Sequence, residues 1–169
     1  MADQTYADVN AKEIILTDRE NCAQYYIETV TLNDAATTAG MLITHYGETY
    51  PAADAAVTTD YAQPLAVIAP VNPGDNWDLD DVISTGVTVY ALRRTYGRVK
   101  VLLRLETTAG PVAQVPGEFA AIGTEAGKIR KYVWTSDAPA TESFVEVIGT
   151  FAAADAGDAS NDTMIGVWF

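Results

Sequence analysis

The chain has 169 residues, 23 acids against 10 Lys and Arg, and a formal net charge of −13. A field of that sign repels nucleic acid and anionic lipid. The longest apolar run, PLAVIAPV at 64–71, is too short for a bilayer-crossing helix, and the lone Cys22 excludes an internal disulfide.

In chain order, residues 1–20 are polar apart from Ile14-Ile15-Leu16 and read as an N-terminal arm that orders against another molecule. The opening MADQTYADVN lacks the basic and apolar regions of a signal peptide, so synthesis in a reducing cytosol is expected. Residues 21–169 read as a single β domain. QYYIETVTL (24–32) is β-branched and aromatic, and MLITHY (41–46) follows the soft NDAATTAG. Residues 51–63, rich in Ala and Thr, read as a surface loop. PLAVIA (64–69) is a strand candidate, and PVNPGDNWDLDD (70–81) is a turn-rich connection ending in one helical turn. VTVYAL, VKVLLRL, EFAAI, IRKYVW, FVEVIGTF and MIGVWF then run to residue 169, each bounded by Gly, Pro, Asp or Thr. TAGMLI, STGVTV and TAGPVA share a turn habit, a small polar pair and a glycine before a strand. No segment keeps a helical period for long. The expected fold is mainly β: a compact antiparallel barrel or sandwich with short helical turns, its last strand paired inside a sheet.

Positive charge is unevenly placed. From Val82 to Leu105 there is no acid, and Arg93, Arg94, Arg98, Lys100 and Arg104 fall in that window; Lys128, Arg130 and Lys131 form a second knot. With Tyr96-Gly97 as a two-residue turn, the two flanking strands would form a hairpin. Tyr90, Leu92, Val99, Val101, Leu103 and Leu105 would face the core, and Arg93, Arg98, Lys100 and Arg104 would share the outer face with Val89, Ala91 and Leu102. Arg93 and Lys100 would then oppose one another, so acid must lie on them. The plain reading supplies it from the chain's own Asp and Glu. The sharper one supplies it from an acidic partner, including a second copy of this chain. Arg93, Arg98, Lys100 and Arg104, with Ile14, Ile15 and Leu16 of the arm, are therefore the candidate partner-binding residues.

Reactive chemistry is sparse. GTEAGKI (123–129) has three residues between its glycines where a phosphate loop has four, and Ile129 stands where a magnesium-binding hydroxyl belongs. Asp75, Asp78, Asp80 and Asp81 lack the pattern of a calcium loop and read as an acidic, capping turn. Cys22 and His45 carry no mark of a nucleophile and base. Trp77, Trp134 and Trp168 could form a sugar-stacking platform, but a tryptophan in an apolar closing strand, as Trp168 is, or at a strand end, as Trp134 is, belongs more often to a core. The chain reads as no enzyme, with no cofactor and no metal.

The segments DVISTGVTVYAL, AGPVAQVPGEFAAIGTEAGKIRKY and EVIGTFAAADAGDASNDTMIGVWF resemble the capsid decoration (head-stabilising, or cement) proteins of tailed viruses. The likeness spans about residues 40–169 and lies in Ala/Thr/Gly-rich turns and the closing strand. It implies a non-enzymatic virion protein, made in the host cytoplasm, that binds a capsid's outer surface as a homotrimer and stabilises it. Its partners would be itself and the major capsid protein, with neither nucleic acid nor membrane. Strand addition by the arm and avidity over the lattice would hold it. The chain is longer than the smaller members, so extra strands are expected within residues 20–80. A tail-tube or minor shell subunit, or a carbohydrate-binding adhesin module, are the competing readings.

Overall fold

The structure is a computed structural model that describes residue 14 and residues 24–33, 37–44, 64–73, 77–96, 99–106, 114–133, 147–152 and 164–169. The fold is mainly β, and the described residues form nine strands in two antiparallel sheets. They are β1 (Gln24–Thr31), β2 (Leu42–Ile43), β3 (Leu65–Pro70), β4 (Thr88–Tyr96), β5 (Lys100–Arg104), β6 (Phe119–Ile122), β7 (Ile129–Lys131), β8 (Val147–Phe151) and β9 (Met164–Trp168). Each overlaps a segment that the sequence marks as strand, but β3 runs one residue further, to Pro70, and β4 runs on through Arg93–Tyr96, into the residue expected to open a turn. The four-stranded sheet has the order β1-β4-β3-β2, and the five-stranded sheet β5-β9-β8-β6-β7. Among the described residues neither sheet closes into a barrel, although an isolated bridge from Leu105 to Ile129 links the end of β5 to β7, and a sandwich fits this arrangement.

Burial follows strand position. β3, a continuous apolar run, lies between β4 and β2 and is buried along its whole length. Its Pro70 sits at the strand end, where a missing N–H costs least. One face of the four-stranded sheet (Leu42, Ala66, Ile68, Leu92) joins Val101, Leu103, Phe151, Ile165 and Val167 of the other sheet in the main core. The opposite face (Val30, Leu32, Ile43, Leu65, Val67, Val89, Ala91) forms a second core closed by Ile83 and Val87. β9, the closing strand, is central, paired with β5 on one side and β8 on the other.

The shared turn habit has a physical basis at two of its three sites. Met41 donates its N–H to Thr38 O and Val87 to Ser84 O, with Gly40 and Gly86 at φ of 79° and 84°. Side chains other than glycine rarely adopt that conformation. The third site, at Gly110, lies outside the described residues.

Three expectations change. First, β4 and β5 do not form a hairpin. β4 is enclosed by β1 and β3, whereas β5 pairs with β9 and Val99 exchanges both backbone bonds with Phe169. The expected inward residues Leu92, Val99, Val101, Leu103 and Leu105 are in the main core. Of the expected outer set, Val89 and Ala91 are buried in the second core and Arg104 is buried too, because alternation fixes which face a residue is on but not what covers that face. Second, Ile14 is completely buried in the main core of its own subunit, so at this residue the arm does not wait for another molecule. Third, Trp77–Asp81 forms turns and no helical turn. Asp78 Oδ1 accepts from Leu79 N–H and Asp81 Oδ2 from Asp78 N–H, so carboxylates satisfy the local donors. The loop at 51–63 lies outside the described residues.

Candidate interaction face

The sequence-marked bases disperse. Arg93 lies opposite Tyr26 on β1 and makes a two-nitrogen contact with Glu28 Oε1, at 2.9 Å from Nε and 2.7 Å from Nη2. Its acid is therefore the chain's own. Arg98, Ile15 and Leu16 lie outside the described residues. Lys100 lies opposite Trp168 and holds its ammonium 5.9 Å from the centre of that ring, within reach of a cation–π attraction.

Arg104 is the sharpest correction. It does not protrude: its side chain is 1% exposed. Nε donates to Ala39 O at 2.7 Å, and Nη2 donates to Leu79 O and Asp80 Oδ1 at 2.8 Å each. The guanidinium fork ties the 38–41 turn and the acidic turn to β5, while Arg104 N–H donates to Gly40 O. A side chain at position 40 would meet Leu102 O and Met164 Sδ at 3.3 Å, so these segments also lie close against β5 and β9.

The second basic knot is likewise paired. Lys128 meets Glu125 at 2.9 Å, and Lys131 meets Glu118. Glu118 Oε2 also accepts from Val115 N–H at 3.0 Å, and these bonds, that of Lys131 foremost, hold its carboxyl below the ordinary carboxylate value. The GTEAGKI loop does receive an anion, but an internal one: Glu106 Oε2 accepts from Thr124 N–H at 2.6 Å and from Thr124 Oγ1 at 3.1 Å. Among the described residues no three His, Cys, Asp or Glu side chains come together as a metal site, and Asp80 is engaged by Arg104. Asp75, Cys22, His45 and Trp134 lie outside the described residues. Trp77 packs against the main core with its indole N–H buried.

One arrangement escaped the sequence. Cross-strand partners share a face in antiparallel sheets. Lys100 pairs with Trp168, Trp168 with Thr150, and Thr150 with Phe119. Tyr132, one step past the Ala120–Lys131 pair, donates its N–H to Phe119 O at 2.9 Å and extends the row onto the last strand. Lys100, Trp168, Thr150, Phe119 and Tyr132 thus line up across the outer face at one end of the five-stranded sheet. Phe119 is 55% exposed and Val147, next to it on that face, 43%. Trp168 is half-buried and faces outward, which corrects its assignment to a core. The alternation in MIGVWF carried that signal: with Ile165, Val167 and Phe169 inside, Trp168 must point out.

An open-edged, two-sheet antiparallel sandwich with an aromatic row on one face is the class that fold and geometry define. The chain matches no protein-family model, no curated protein and no solved structure.

Proposed function

We propose that the chain is a non-enzymatic structural protein of a tailed-virus virion, which binds the outer surface of the capsid as an oligomer and stabilises it. The observation that carries this reading is charge placement. Arg93, Arg104, Lys128 and Lys131 are paired within the subunit with Glu28, Asp80, Glu125 and Glu118, so these four bases build no positive patch to offset the chain's net charge of −13. Packaged nucleic acid repels such a surface, which suits the outside of a shell. Exposed apolar side chains apart from the row, Tyr26 and Val82, offer contacts to the major capsid protein or a second copy. The sandwich, locked by Arg104, supplies a stiff body that binds without paying much ordering entropy.

The test is direct. Purified protein is added to capsids that lack a coat, and the particles are imaged. The reading expects extra density at symmetry-related positions and shells more resistant to heat; shells that stay bare would end it. Light scattering at low and high salt gives the companion result, a small oligomer of one mass in both.

A further inference from the structure

We propose that β1 is the contact through which two copies of the chain join, pairing antiparallel with β1 of the partner subunit about a twofold axis at Ile27. This deepens the assembly reading, on which it rests for the expectation of an oligomer, by naming the surface that makes one.

The sheet edges are unequal. β2, β7 and β5 each meet further backbone on their outer sides. Leu42 N–H donates to Gly127 O at 2.7 Å, Glu106 N–H to Ile129 O at 2.9 Å, and Arg104 N–H to Gly40 O at 3.0 Å. β1 differs. Its backbone pairs with β4 alone, and the Glu28–Arg93 ion pair and the Thr31–Thr88 hydroxyl contact lie on that same side. From Tyr26 to Thr31 no bond reaches past the other side among the described residues. Such an edge presents a row of N–H and C=O groups that another strand can complete. Lys, Pro or a bulge commonly blunts an edge. β1 reads QYYIETVT, with no Lys, Arg or Pro, and its one irregularity falls at its first step, between Gln24 and Tyr25. Its eight residues offer about 26 Å of edge.

Charge selects a second copy. Copies of a chain at net −13 repel one another and must meet where local charge is balanced. β1 is such a place: Glu28 is its only charge, and Arg93 holds that carboxylate at 2.7 Å. The exposed side chains along it, Tyr26, Thr29 and Thr31, are neutral. A basic foreign strand would find no unpaired acid on β1. A twofold pair also uses the one open edge that each copy has among its described residues, so association stops at two and does not grow into a filament.

Symmetry and charge then set the register. Directly opposed residues share a face, so a residue on the twofold axis opposes itself. The middle of β1 falls between Ile27 and Glu28. Glu28 on the axis would set two carboxylates together. Ile27 on the axis sets apolar against apolar and puts Tyr26 opposite Glu28 of the partner subunit, twice, where the phenol O–H can donate to the carboxylate.

The experiment follows native mass and amide exchange of the full chain together, by light scattering and NMR, over a dilution series. Alternate amides of β1 face away from β4. The expected result is a dimer in which those amides exchange at least about tenfold more slowly than in the diluted monomer. Tyr26→Glu should raise the dissociation constant about tenfold, because it opposes carboxylates twice across the axis, and Tyr26→Lys should not. Tyr26 is 58% exposed, so both variants should melt as the parent does. An oligomer whose outward β1 amides stay fast overturns the proposal and leaves the assembly reading standing. A chain that is monomeric at every concentration overturns it, and so does protection that appears only on shells, which would give the edge to a shell subunit. Equal weakening by Tyr26→Glu and Tyr26→Lys also overturns it, since Tyr26 would then not face an acid. Shell binding is scored separately, so either reading can fail alone.

Discussion

At one end of the outer face of the five-stranded sheet, Arg104 and Met164 lie against Ala39, Gly40 and Leu79; at the other, Trp168, Thr150 and Phe119 look outward. Both ends are built by the same alternation on the same strands. What separates them is delivery: the 38–41 and 77–81 turns arrive at one end with carbonyls for a guanidinium, and the described residues bring no such cover to the other. A long basic side chain on an outward strand position can therefore become the largest fully buried side chain among the described residues, while a tryptophan in an apolar strand stays near the surface. Burial is decided by what crosses the face, not by the residue's polarity alone.

The largest expected effect strikes both ends at once. Gly149 lies where β8 runs so close to β9 that an added Cβ would come within 2.1 Å of Trp168 O, a backbone atom that cannot step aside. Gly149→Ala is expected to cost about 3 kcal/mol, read as a lowered midpoint in urea unfolding. It would loosen the aromatic row as well as the core beneath.

Arg104 sharpens the contrast at the covered end. Arg104→Met keeps most of the stem but leaves the carbonyls of Ala39 and Leu79 without their donor, and about 2–3 kcal/mol should be lost. Asp80→Ala removes only a carboxylate that is 81% exposed, and should cost about 1 kcal/mol or less. Equal losses from the two substitutions would mean that the ion pair, and not the carbonyl cradle, matters. At the open end Phe119→Ala should change stability by less than about 0.5 kcal/mol, the opposite outcome on the same face.

How far the sequence could be read follows from the range over which each feature is decided. Strand positions are local: β-branched runs bounded by glycine, proline and aspartate mark QYYIETVT, LAVIAP and MIGVW unaided. Faces are also local, since Leu92, Val99, Val101 and Leu103 fall inside by alternation alone. Partners are not. Tyr96-Gly97 looks like a hairpin turn, yet β1 and β3 enclose β4 and leave β5 to the far sheet. Arg104 could not be placed because its acceptors lie 65 and 25 residues earlier in the chain. The aromatic row was hidden for the same reason: its members come from four strands and the residue just past β7, and share no spacing in sequence. Only Trp168 carried a usable sign, its parity against Val167 and Phe169.

Arg93 gives a smaller test of the same distinction. It is marked by sequence as a partner contact, but its guanidinium rests on Glu28 at a half-exposed site, where screening and side-chain entropy offset most of the attraction. Arg93→Glu places two carboxylates together and should lower stability by about 1 kcal/mol or less, with native mass unchanged if the pair is wholly internal. A fall in mass with an unchanged melt would instead restore Arg93 to an interface.

The smallest effect is electrostatic and lies beside the open row. The carboxylate of Glu118, one residue before Phe119, takes a bond from Lys131 and the Val115 N–H, and both favour its charged form. Its folded pKa is therefore below the ordinary 4.5. A depressed carboxylate stabilises the fold at pH above its unfolded value, and that contribution fades as pH falls through the lower, folded one. Above pH 5 the clip should thus be insensitive to pH. On acidification the Val115 amide resonance should move with a midpoint below 4.5, and Glu118→Gln should abolish the shift. A midpoint at or above the ordinary value would mean that Lys131 does not hold the carboxylate, and that the turn leading into Phe119 is fixed by its backbone alone.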